Sequence, residues 1–400
     1  MAAMDLPDPA ELAARQLRRD LRRMEDKPHL LAFKRERMDV SPFHFLRGTA
    51  PLFYEALRAV PQLAVGPKGK GWLAGDLHLE NFGAYRPEPV STEGVSPRVV
   101  FDINDFDDAF IGPQRLDVLR LLTSAVLASR DWGLSSGETV SVAEVILEGV
   151  LAGRSLGRPG PAPAAVRELL ERVAERSRRE LLDQRTRRTS GGRRFLRGPR
   201  YRSLSSREHH QAQVAFAAYA ETLSGEGRGR ADAWEVRDVA FRLAGTGSLG
   251  GMRIAVLVAG KGGPDGGWMF DMKEQGASSG RAFAEGPPER GAERVLAALR
   301  QCPAQPPSMA GSTDFGGRSM LVRRLTPQED RLDLASLPSS KRESALFYFG
   351  ALSGALHRRG AKDAPAWKAK KARVLIVNAM ALAGLHEAAA VHYAMLAAER

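Results

Sequence analysis

Asp76 and Asn81 stand with four residues between them in Gly75-Asp76-Leu77-His78-Leu79-Glu80-Asn81, and an acid-rich stretch follows at Asp105-Phe106-Asp107-Asp108. An Asp and an Asn at this spacing behind a strand form the catalytic-loop arrangement of phosphoryl transfer: the Asp orients or deprotonates an acceptor hydroxyl, and the Asn amide oxygen ligates Mg2+. Asp105, the first acid after the following strand, adds a second hard oxygen donor, the ligand type Mg2+ prefers while it keeps waters and phosphate in its other positions. Taken singly these residues are ordinary turn formers, because Asp and Asn favour Asx-turns and caps. Five oxygen-bearing positions in two loops joined by a hairpin argue instead for a site. An EF-hand starting at Asp102 fails, since Phe106 and Asp107 would occupy its fifth and sixth places. His78 is expected to hydrogen-bond within its loop rather than to bind metal.

A second constellation lies at Gly245-Thr246-Gly247-Ser248-Leu249-Gly250, with Lys273 downstream. A dinucleotide fingerprint needs a helix directly after its glycines. Here residues 252–258 are β-branched and apolar, so the glycines belong to a hairpin. The hairpin version is a phosphate cover, in which backbone N–H groups approach the phosphates and a Lys on the next-but-one strand contacts them. Lys273 occupies that place, and Glu293, on an expected helix, is its candidate ion-pair partner, with Glu285 and Glu289 as competitors.

Gly-Asp-Leu-His-Leu-Glu-Asn followed by Asp-Phe-Asp-Asp-Ala and by Asp117 resembles the catalytic loop of aminoglycoside and choline phosphotransferases, the small-molecule branch of the protein-kinase-like fold. Ser-Pro-Phe-His-Phe-Leu-Arg-Gly, Gly-Asp-Leu-His-Leu-Glu-Asn-Phe-Gly and Phe-Asp-Ile-Asn-Asp-Phe-Asp-Asp resemble more closely the bacterial domain of unknown function 2252, over most of the chain. The resemblance implies Asp76 as catalytic Asp, Asn81 and Asp105 as metal ligands, and Asp117 as a buried acid that holds the loop backbone. It implies ATP and Mg2+ as cofactors and an unknown small-molecule or protein acceptor. The phosphotransferases usually carry His two positions before the Asp; this chain has Ala74, so loop support must come from elsewhere.

The elements that must position these residues come in an unexpected order. Kinases place the glycine loop and Lys before the catalytic Asp, whereas here Asp76 precedes Gly245. Asp314-Phe315-Gly316 and His357-Arg358-Arg359 look like parts of a conventional layout but stand at the wrong separation and in the wrong order. A circular permutation removes the conflict. The expected fold is α+β, protein-kinase-like and two-lobed. It comprises an N-terminal helical segment (1–60), a large lobe with the catalytic and metal loops (61–223), a small β-rich nucleotide lobe (224–335) and helices returning to the large lobe (336–400). Helical periodicity marks 9–24, 115–130, 140–151, 164–183, 210–223, 341–359 and 366–399. Strands are expected at 71–74, 98–101 and 320–325, with two more across 236–273.

Composition bounds the partners. Hydrophobic residues make up 43% of the 400, enough for a real core and unlike a disordered chain. A formal charge of +12 favours an anionic partner. The Arg- and Ser-rich segment 185–207 reads as a flexible basic linker; nucleic acid binding there is the less favoured alternative, as is a nucleotide-binding pseudoenzyme. The lone Cys302 excludes a disulfide framework and, with no apolar leader visible, makes a cytoplasmic location the expectation. The apolar run 374–385 is too short to span a membrane and reads as a buried helix.

Overall fold

A computed structural model describes residues 6–87, 99–223, 231–247, 249–261, 263, 266–286 and 291–399. The chain opens with four helices, α1 (Pro9–Arg23), α2 (Pro28–Met38), α3 (Pro42–Gly48) and α4 (Ala50–Ala59). Each carries Pro in its first turn, where the missing N–H costs nothing. Four short strands follow: β1 (Lys70–Leu73), β2 (Phe82–Tyr85), β3 (Val100–Ile103) and β4 (Phe110–Pro113). Helices α5 (Arg115–Asp131), α6 (Ser136–Leu156), α7 (Ala164–Ala174) and α8 (Arg178–Arg185) then build the helical mass. Capping boxes, Ser135 with Glu138 and Ser177 with Glu180, start α6 and α8.

The remainder alternates. Strands β5 (Thr186–Thr189), β6 (Gly192–Phe195) and β7 (Tyr201–Arg202) precede α9 (Ser206–Thr222). Next come β8 (Val236–Arg242), β9 (Arg253–Val258) and β10 (Trp268–Glu274), then α10 (Gly291–Gln301), β11 (Gly311–Phe315) and β12 (Arg318–Leu325). The chain closes with α11 (Ser339–Arg359), β13 (Ala361–Asp363), α12 (Ala369–Ala372) and α13 (Val374–Ala398). The result is a mixed α+β protein with several small sheets. The largest is antiparallel, in the order β11-β12-β10-β9-β8-β7; a three-stranded sheet runs β13-β1-β4, and β2-β3 and β5-β6 are hairpins.

Two expectations need correction. The segment 185–207 is not a flexible linker: β5 and β6 form a hairpin, buried Arg193 pairs with Asp183, and β7 joins the edge of the large sheet. Arginine-rich composition hid strands whose partners lie elsewhere in the chain. The region 236–273 holds three strands rather than two, because the glycines after Val258 turn the chain into a further hairpin.

The main apolar cluster collects α1, α3–α7, β1–β4, α10, α11 and α13, while a second gathers α9 against β8–β12. Helices α6 and α11 approach unusually closely. A Cβ at Gly149 or Gly153 would strike carbonyl oxygens of α11, and one at Gly350 or Gly354 would strike those of α6, so bare backbone is required on both sides. The stretch Ala369–Ala398 is long and apolar enough to cross a membrane, and half of its most apolar window is buried inside the protein against neighbours that include α1 and α5.

Candidate functional site

Strand β1 pairs antiparallel with β4 and delivers the chain to Ala74-Gly75-Asp76. Gly75 sits at φ +85°, and a Cβ there would run into the carbonyl oxygen of Asp108, so only glycine fits. Asp117, in the first turn of α5 and fully buried, accepts the backbone N–H of Ala74 at 2.7 Å and of Gly75 at 2.9 Å. On its other side Asp117 meets His357 Nε2 at 3.1 Å. The Tyr54 hydroxyl donates to the Gly75 carbonyl. His357, at the end of α11, thus braces the same acid that holds the loop backbone at Ala74 and Gly75.

Asp76 is held by Arg120, whose Nε lies 2.5 Å from Oδ1. Arg120 is fully buried; its Nη2 donates to the Leu46 carbonyl at 3.0 Å and its guanidinium stands 4.9 Å from the centre of the Phe53 ring. Burial pushes the Asp76 carboxyl up to about 7 despite the opposing pull of Arg120. Asn81 donates from Nδ2 to the Asp76 carbonyl at 2.7 Å, which fixes its amide. The β2-β3 register pairs Phe82 with Ile103, so Asn81 and Asn104-Asp105 flank the same hairpin end, and the Asn104 N–H donates to the Asn81 carbonyl at 3.0 Å. Asp102 faces away: its carboxylate accepts the N–H of Ile103 at 2.8 Å and of Ala304 at 3.1 Å.

Across from this loop stands the large sheet. Lys273, on β10, forms an ion pair with Asp107 Oδ2, and Gln275 donates to Asp107 Oδ1 at 2.8 Å. Burial lowers the Lys273 pKa from its ordinary value, with Asp105 opposing. The expected Glu293 partner is therefore a misassignment. Glu293 lies at the start of α10 and accepts from the Ser319 hydroxyl at 3.3 Å; the acid that meets Lys273 is Asp107, in a loop that Arg294 pins. Arg294 donates to the carbonyls of Asp107 at 2.7 Å and Gly276 at 3.1 Å, and to that of Ala109. Two residues before Lys273, buried Asp271 is clamped by Arg253 and Arg242. Burial works against its charge, but the two guanidiniums outweigh it and hold the carboxyl well below the usual carboxylate range.

The glycine turn joins β8 to β9. Gly245 and Gly250 have φ of +83° and +93°, and Arg37 of α2 donates to the Gly245 carbonyl at 3.2 Å and the Thr246 hydroxyl at 3.4 Å. Leu249 packs with Met24, Leu30 and Leu31. Ser248 lies outside the described residues.

These parts meet in one cavity of about 420 Å³, lined by Asp76, Asn81, Asp105, Asp107, Gly245-Thr246-Gly247 and Lys273. Gly250, packed on Arg23 and Met24, and Glu293 are not in its lining. Sequence reasoning missed Arg120, Arg294, Tyr54 and His357, because each acts from an element whose approach is decided by tertiary packing. Asp107 did carry a signal, lying in the same acidic run as Asp105. Among the described residues no group of three or more His, Cys, Asp or Glu is arranged to hold a metal by itself.

The sequence profile of a bacterial family matches residues 23–150 and 158–397, so the chain belongs to the uncharacterized proteins conserved in bacteria, DUF2252. No curated protein and no solved structure matches it.

Proposed function

We propose that this chain is an ATP- and Mg2+-dependent phosphotransferase with a protein-kinase-like, two-lobed architecture in circularly permuted order. The observation that carries the reading is the shared cavity of Asp76 and Lys273, two residues far apart in sequence that each supply one half of a phosphoryl-transfer site. The strand order supports it: the glycine turn joins β8 to β9, Lys273 stands on β10, and α10 follows. The permutation is supported by the end of α11, where the Gly360 carbonyl accepts the Trp72 N–H at 2.8 Å beside the strand that leads into the Asp76 loop.

Arg120 engages Asp76 through Oδ1, leaving Oδ2 to accept the proton of an acceptor hydroxyl. A carboxyl near 7 suits a base working at neutral pH. Lys273 serves the nucleotide phosphates by exchanging its Asp107 partner for them. The residues present fit Mg2+: Asn81 Oδ1, left over once Nδ2 is committed to the Asp76 carbonyl, and the exposed Asp105 carboxylate are two hard oxygens on one cavity wall, and Mg2+ characteristically takes one or two protein ligands plus substrate phosphates. When bound, the ion neutralises charge on the transferring phosphoryl group.

Titration calorimetry of Mg-ATP on the wild-type protein and on Asp105→Ala tests the proposal. Binding that weakens with Asp105→Ala and on Mg2+ removal is expected; no binding of Mg-ATP to folded wild-type protein would end it.

A further inference from the structure

Outside that cavity, a recess of about 250 Å³ opens where the end of β12 and the following residues meet α8 and β10. Arg86, Arg178 and Arg324 line it from three separate elements, together with Trp268 and Gln328. Arg324 is half-buried and has no carboxylate partner among the described residues. Its guanidinium stands 4.8 Å from the Trp268 ring centre, and its one polar contact is a weak one to Met309 Sδ at 3.9 Å. Among the described residues exposed Arg178 has one hydrogen bond, to the Lys261 carbonyl at 2.9 Å. Burial and the like charges of Arg86 and Arg178 push the Arg324 pKa down to about 10.

Two more groups in the same recess lack partners. Trp268, 4% exposed, has its indole Nε1–H buried with no acceptor, and Gln328, 8% exposed, has Oε1 buried with no donor although Nε2 donates to the Arg176 carbonyl at 3.0 Å. A buried donor with no acceptor, beside half-buried Arg324 with no carboxylate partner among the described residues, costs free energy until an acceptor arrives; exposed Arg86 and Arg178 add positive charge at the mouth, while the fourth lining arginine, Arg176, is paired with Asp330. The geometry points to a second ligand site here, for the phosphate group of a small molecule. Guanidiniums suit phosphate because their planar forks match its oxygens, and a recess of this size holds a phosphate or diphosphate group. The recess shares none of Asp76, Asn81, Asp105 or Lys273, although Arg86 and Arg324 also line a smaller neighbouring recess with Asp105 and Glu329.

Its test is titration of pyrophosphate, and separately of inorganic phosphate, into protein carrying Lys273→Ala, which removes the lysine assigned to phosphate in the main cavity while that cavity keeps Arg47, Arg253 and Arg323. Pyrophosphate binding that depends on the recess arginines is the expected result. Adding Arg324→Gln, or the surface change Arg86→Gln, should weaken binding about tenfold or more, the latter without altering the melting temperature. No pyrophosphate binding to the Lys273→Ala protein, or equal affinity with either arginine removed, would overturn the assignment. So would displacement of pyrophosphate by single-stranded RNA with an affinity that grows with RNA length, which would make this a nucleic-acid surface.

Discussion

The Asp76 loop and the glycine turn border the same cavity, yet the chain holds them by different means. The Asp76 loop is over-determined: Asp117 fixes two of its backbone N–H groups, Tyr54 its carbonyl, Arg120 its carboxylate, and all three of these residues are buried in the main apolar cluster or bonded within it. Among its described residues the glycine turn is held by exposed Arg37, a Lys27 contact to the Gly250 carbonyl at 3.4 Å, packing of Gly250 on Arg23 and Met24, and the small cluster around Leu249. Rigid placement suits a group that must meet a reacting hydroxyl within a fraction of an ångström, while a loosely held turn can close over phosphates and open again.

Asp117→Ala should have the largest effect, because it strands two buried N–H groups and His357 at once. About 3–5 kcal/mol of unfolding free energy should be lost in denaturant titration, as for breaking a buried charge network. Turnover should fall with it. A loss below about 1 kcal/mol would mean the loop is held by other contacts and the contrast with the glycine turn is overstated.

The next effect concerns protonation. On the proposed reading Asp76 acts in its carboxylate form, and burial raises its pKa to about 7, so the fraction ready to accept a proton grows as pH rises through that value. ATP turnover should therefore climb between about pH 6 and 8. A flat profile across that window would separate Asp76 from proton transfer.

Arg37→Ala should do less. It frees the glycine turn from α2 without touching the core, so Mg-ATP affinity should fall about two- to fivefold while the melting temperature stays unchanged. A large stability loss would show that the turn is as firmly built as the Asp76 loop. Smallest of all, Glu293→Gln should change Mg-ATP affinity by less than about twofold, since Glu293 serves Ser319 and not Lys273.

This ranking follows what was readable from sequence. Asp76, Asn81 and Asp105 announce themselves because their spacing is local, and a hairpin between them keeps the two loops together whatever the rest of the fold does. The long helices were legible for the same reason: apolar periodicity is a local signal, and 341–359 falls within α11. Partners were not. Arg120 reads as one more polar position in a helical pattern, and only the crossing of α5 beneath the loop makes it the mate of Asp76. Glu293 drew attention through helical placement, but Arg294 beside it is the residue that reaches the acid loop, a choice set by the rotation of α10 against β12. Segment 185–207 was misread because its strands take their stability from Asp183, Asp238 and β8, none of which a composition count sees.

The central claim is that Asp76 and Lys273 serve one site with divided labour, Asp76 on the acceptor and Lys273 on the nucleotide. The measurement that meets it most directly pairs Mg-ATP calorimetry with ATP turnover on Asp76→Asn and Lys273→Ala. Asp76→Asn should bind Mg-ATP within about threefold of wild type while turnover falls by about a hundredfold or more; Lys273→Ala should weaken binding itself by about tenfold or more. Turnover that survives Asp76→Asn, or nucleotide affinity indifferent to Lys273→Ala, would contradict the account.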